Sequence, residues 1–94
     1  MNPAILLDDV TDWQSFAAFV RALAAEREQA EQLEKERPAY YKLGGALDWQ
    51  NSQISDFLEC ALACVEGNEH REPIPCAPTW RFLAEFLYGG KIYE

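Results

Sequence analysis

The side chains best suited to chemistry in this chain are its three cysteines and its one histidine, all in a single stretch. Cys60, Cys64, His70 and Cys76 form a Cys-x3-Cys-x5-His-x5-Cys pattern of four soft donors, a ligand set that suits structural zinc. On a helix, Cys60 and Cys64 would stack one turn apart. Two points weigh against a metal. Structural zinc sites usually draw a ligand pair from a tight Cys-x2-Cys knuckle, not from a helix committed to a core face. A cysteine more commonly serves as a small buried apolar residue. No metal and no other cofactor is therefore expected.

Asp8, Asp9 and Asp12 are the second constellation, where a hydrolase could hold a cation. They lack a histidine or a second acidic motif to complete a site, and acids before a helix stabilise its dipole. The chain has no serine in a nucleophile elbow, no Gly-rich phosphate loop and no His-Glu-x-x-His helix. The expectation is a non-enzyme with no catalytic residues. A small enzyme or a zinc-binding protein is the minority alternative.

Sixteen acidic and eight basic side chains in 94 residues give a formal charge of -8 and a pI near 4.5. Phosphate contacts need clustered Lys and Arg, so direct nucleic-acid binding is disfavoured. Hydrophobic residues make up 49% of the chain, with three Trp, four Tyr and five Phe, too many for a disordered acidic tail. One domain over residues 1–94 is expected. The N-terminus has no basic n-region, and Ala4 to Leu7 is far too short an apolar run to cross a bilayer. A cytoplasmic location without membrane contact is expected, with the cysteines as thiols.

Hydrophobic spacing predicts an all-α fold, a small bundle of three principal helices near 12–36, 52–66 and 79–89. Residues 1–10 read as a lead-in. Thr11-Asp12-Trp13-Gln14 matches a capping box with Thr11 as the cap. Trp13, Phe16, Ala17, Val20, Leu23 and Ala24 then keep the helical period. From Glu26 onwards Arg27 and Glu34 interrupt that stripe, so the second half of this long first helix is expected to project beyond the core or to fray. Residues 26–48 are read as this extension and a connecting loop, with Glu31 and Lys35 paired at i, i+4. Pro38 ends the helix, and Ala39 to Asp48 connects, with Leu43-Gly44-Gly45 as turn residues.

Asn51 or Ser52 is expected to cap the next helix, in which Ile54, Phe57, Leu58, Ala61, Leu62 and Val65 repeat, and Gly67 to stop it. Pro78 suits the first position of the last helix, whose apolar face is Trp80, Leu83, Ala84 and Leu87. Gly89-Gly90 reads as that helix's end, with Ile92 and Tyr93 folding back. The expected core is Trp13, Phe16, Val20, Leu23, Phe57, Leu58, Leu62, Trp80, Leu83 and Leu87.

Several of these residues carry a resemblance. Trp49-Gln50-Asn51, Phe57-Leu58-Glu59-Cys60-Ala61-Leu62, Pro78-Thr79-Trp80 with Phe82, Leu83 and Ala84, and Lys91-Ile92-Tyr93-Glu94 resemble an uncharacterised family of small acidic bacterial proteins. That family's pattern runs Trp-Glu-Asn, Leu-Glu-Ala-Leu, Pro-Ser-Trp leading Phe-Ala, and a closing Lys-Ile-Tyr-Glu. The likeness covers roughly residues 12–25 and 47–94. Gln50 replaces the usual acid, Gly89-Gly90 stands where alanines are common, and 26–46 looks like an expanded insertion. The resemblance implies a bacterial cytoplasmic origin and a shared fold, and supplies no site.

What remains is binding. A small acidic domain can cover a basic partner, with charge speeding encounter and aromatics holding the complex. The expected partner is another protein, a basic one, as for an immunity or antitoxin-type inhibitor. A structural or regulatory subunit of a bacterial complex is the alternative, and the long helix also offers a surface for a homodimer. Glu28, Glu31, Glu34, Glu36, Tyr40 and Tyr41 are the candidate partner-binding residues.

Overall fold

The longest helix begins where a carboxylate can close its first turn. Asp12 holds extended backbone and accepts the Ser15 N–H at 2.8 Å, while the Ser15 hydroxyl accepts the Asp12 N–H at 3.0 Å. The capping pair is therefore Asp12 with Ser15, displaced one residue from the expected Thr11 with Gln14. A carboxylate fits there better because it meets the helix dipole with full charge. The Ser15 N–H, and after it the Ser15 hydroxyl, hold the Asp12 carboxyl below its ordinary pKa.

A computed structural model describes residues 2–41 and 44–93 of this chain. Met1 of the lead-in, Leu43 of the connecting turn and Glu94 of the closing motif lie outside the described residues. Four helices follow in order: α1 (Pro3–Leu7), α2 (Trp13–Glu36), α3 (Ile54–Gly67) and α4 (Trp80–Ile92), with one 3-10 turn at Ala46–Asp48. The all-α bundle holds, and three of its helices are substantial. The lead-in contains a helix of its own, which Asn2 caps by accepting the Ala4 N–H.

The second half of α2 neither frays nor stands clear of the core. It is helical to Glu36, and Ala30 is fully buried. The loop after α2 returns along it. Ala46 and Trp49 from that loop join Val10, Phe19, Leu23, Ala30 and Ala84 in one buried cluster, with Leu33 and Tyr41 packed against it. Arg27 and Glu34, which interrupt the stripe in sequence, pair with each other at 2.6 Å.

Helix ends differ from the expected ones in three further places. Gln53 precedes α3 without a side-chain cap bond, because Asn51 is committed elsewhere. Thr79 caps α4 through the Phe82 N–H, leaving Pro78 outside the helix. The step at Gly89-Gly90 is not an end. Neither glycine has a positive φ, and α4 continues through both to Ile92. They are there for proximity. A Cβ on Gly90 would stand 2.8 Å from the Phe57 carbonyl oxygen and 3.0 Å from its ring, and one on Gly89 would stand 3.1 Å from the Cys64 sulfur. Two glycines let α3 and α4 pack backbone to side chain.

The core sits to one side of where the periodicity puts it. Phe19, off the 13–16–20 stripe, is fully buried, since α1 and the 44–50 loop cover that flank of α2. The opposite flank stays open. Trp13 is 57% exposed, Leu58 49% and Leu62 53%, and Trp80 and Leu83 are also exposed, so these five expected core residues lie at the surface.

Gly90→Ala gains helix propensity of about 1 kcal/mol and is nevertheless expected to destabilise the protein by a net ~1–3 kcal/mol, because its methyl meets α3 backbone. Urea unfolding measures this. A raised midpoint would mean that the α3–α4 contact is looser than described.

Candidate functional site

The element that fixes the helices relative to one another is a buried charge. Lys91, 4% exposed on the last turn of α4, reaches Glu26 of α2 at 2.6 Å. The same Glu26 oxygen accepts the Trp49 indole N–H at 2.9 Å. The Lys91 ammonium also lies 5.7 Å from the Trp49 ring centre and 5.5 Å from that of Tyr88, within cation–π range. Beside it Asn51 donates to the Gly90 and Tyr93 carbonyls at 2.9 and 2.7 Å, and the Gln50 N–H donates to the Lys91 carbonyl at 3.0 Å. The loop is thereby sewn to the end of α4, and both to α2.

A second polar group ties the loop farther along α2. Glu34 accepts from Arg27 and, at 2.9 Å, from the Ala46 N–H. Burial alone would raise the Glu34 carboxyl, but those two hydrogen bonds and the Arg27 charge outweigh it and leave the pKa below its ordinary value. The Arg27 guanidinium lies 5.4 Å from the Trp49 ring centre, within cation–π range, and its Nη1 is buried without a hydrogen-bond partner.

With Trp49 and Arg27 so held, an open groove of about 300 Å³ runs between α2 and α3. Val20, Leu23 and Ala24 form one wall, Ile54 and Phe57 the other, and Leu87 of α4 the floor. α2 and α3 each pack on α4 and hardly touch each other. Ile54, 80% exposed, begins a row at i, i+4, i+8 that continues with the exposed Leu58 and Leu62. At the far end Trp13, Phe16 and Trp80 form an aromatic cluster with ring centres 5.3–6.2 Å apart.

The residues singled out from sequence are divided. Glu34 is half-buried and engaged by Arg27 and the Ala46 N–H. Glu28, Glu31 and Glu36 are exposed, Glu31 paired with Lys35 at 3.6 Å and Glu36 taking a long 3.4 Å bond from Gln32. Tyr40 is exposed, while Tyr41 is half-buried against the core, edge-on to Tyr40. Cys60 donates to Asn51, burial and then the Glu72 charge push the Cys64 thiol up, and Cys76 is exposed. Among the described residues no three His, Cys, Asp or Glu side chains are placed to share a metal. Asp8 pairs with Arg81 at 2.9 Å.

Residues 11–94 match a family of unknown function, DUF7660. The chain belongs to the DUF7660 family. Comparisons with curated proteins and with solved structures return no match. In this DUF7660 chain the Trp49-Gln50-Asn51 and Lys91-Ile92-Tyr93 segments, far apart in sequence, are the two halves of one clasp. Nothing local in the sequence marks these two segments as partners; the groove is signalled there only by the surplus of apolar positions on α3.

Lys91→Met should destabilise the DUF7660 chain by ~3–5 kcal/mol, since it leaves Glu26 buried without its cation. Adding Glu26→Gln should recover part of that loss. Chemical unfolding of the two single variants and the double variant checks this, and additive single effects would contradict the coupling.

Proposed function

We propose that this protein is a non-enzymatic protein-binding module that holds a basic protein against the open face between α2 and α3. The observation that carries the reading is the groove itself: a contiguous apolar face, uncovered in a domain whose formal charge is -8. Exposed apolar patches of this kind mark interaction surfaces. Exposed acids stand on both helices that border the groove. Glu28 and Glu31 follow Ala24 and Arg27 by one helical turn on α2, and Glu59 and Glu66 flank Leu62 on α3, all four exposed. Like charge disfavours a second copy of this chain and favours a cationic partner.

Glu36 and Tyr40 extend the acidic side farther along and supply a secondary contact. An inhibitor of a basic toxin, of the immunity or antitoxin kind, is one relation that fits. A regulatory or structural subunit of a bacterial complex is the other. Both belong in the cytoplasm, where three thiols stay reduced. No described helix is long and apolar enough to cross a membrane.

A photo-crosslinking residue placed at Leu58 in the native host should give a discrete adduct with a protein of basic pI, and one placed at Gln29 should not. Raising salt from about 50 to about 500 mM should then slow association of the purified pair far more than dissociation. Identical adducts from both positions, or an acidic partner, would overturn the reading. An adduct from Tyr40 but not from Leu58 would move the contact to the extension.

A further inference from the structure

Resting on the protein-binding reading, we infer that the groove takes a basic amphipathic α-helix of the partner, seated as a further helix between α2 and α3. The chemistry of the lining decides the backbone of the occupant. Val20, Leu23, Ala24, Ile54, Phe57 and Leu87 make most of the lining apolar, and Arg27, Trp49 and residues 51–53 complete it. An extended segment laid there would strand its own N–H and C=O groups, whereas strand addition needs a sheet edge, and the described residues form no strand. A helix arrives with its backbone already paired.

The spacing of the walls fits the same occupant. α4 runs parallel to α2, since Trp80 meets Phe16 at one end and Lys91 meets Glu26 at the other. α3 meets the last turns of α4, Phe57 against Gly90 and Cys64 against Gly89. Val20 and Ala24 on α2 and Ile54, Leu58 and Leu62 on α3 are i, i+4 ridges, which accept the ridges of a neighbouring helix at an interaxial distance of about 8–10 Å. From Ile54 to Leu62 the ridge rises about 12 Å, enough for two to three turns of a ligand helix with apolar residues at i, i+3 or i+4, and i+7.

The charges set the flanks of that helix. Glu28 and Glu31 are exposed on α2, each one turn beyond a residue of the groove lining, Ala24 and Arg27. Arg27 is neutralised by Glu34. Arg21, exposed one turn before Ala24 and two before Glu28, tempers the field at mid-length. Lys or Arg on the α2-facing edge of the ligand's apolar stripe meets this pattern.

The test uses the full chain and three synthetic helical peptides: a Leu stripe with Lys flanks, the same stripe with Glu flanks, and the Leu/Lys composition scrambled so that no stripe forms. Calorimetry and amide chemical shifts read the binding. The Leu/Lys helix is expected to bind one to one, with shifts at Val20, Ala24, Ile54 and Leu58. Ile54→Lys with Leu58→Lys, both on exposed side chains, should weaken it about tenfold or more, and so should Glu28→Lys with Glu31→Lys at low salt. Equal binding of the scrambled peptide would overturn the inference, as would indifference to the Ile54 and Leu58 changes. Concentration-dependent dimerisation abolished by those same changes would assign the face to a second copy. A Leu58 adduct with a basic partner whose crosslinked segment is extended would leave protein binding standing and remove the helix.

Discussion

One buried ion pair determines how this chain is put together. Lys91 and Glu26 meet almost out of water, and a pair in that position holds only if the remaining donors and acceptors are also satisfied. The Trp49 indole N–H shares the Glu26 oxygen, and the Trp49 ring lies under both Lys91 and Arg27. Moving any one of the three elements that supply these residues, α2, α4 or the loop between α2 and α3, exposes the others to an unpaired buried charge. That penalty gives a small domain a single arrangement that apolar packing alone would specify less sharply.

The groove follows from the same constraint. With the loop tied along one flank of α2 by Trp49 and Ala46, and α1 lying over Phe19, the apolar stripe of α2 is covered from one side only. α3 is drawn onto α4 by the close approach at Gly89 and Gly90, which leaves it too far round to close on α2. Two helices of a bundle are thus held apart by the third. Their facing apolar rows stay open.

The three principal helices and their positions were legible in the sequence because hydrophobic period and breakers agree across each segment: Pro38 after α2, Gly67 at the last turn of α3, Thr79 before α4; the short α1 was not. Burial was less legible. Period reports an apolar face but not whether anything lies on it, so Leu58 and Leu62 look like core on spacing alone, while Phe19 looks like surface. Gly89-Gly90 reads as a terminator in one dimension, because only the neighbouring helix reveals the need for close approach. Glu26, Glu34 and Lys91 belong to residue types that are mostly exposed, and nothing local marks them as inward-facing. For the candidate site, the acidic residues Glu28 and Glu31 were visible as charge, but the apolar floor they border was hidden inside a list of expected core residues.

The most direct measurement is the solvent accessibility of methyl groups in the free monomer, read by NMR with a soluble paramagnetic agent. An uncovered face predicts strong broadening of Ile54, Leu58 and Leu62 methyls, with Leu23 and Ala61 protected. Protection of Ile54 and Leu58 to the level of Leu23 in a monomeric sample would contradict the open groove and with it the account of what this surface is for.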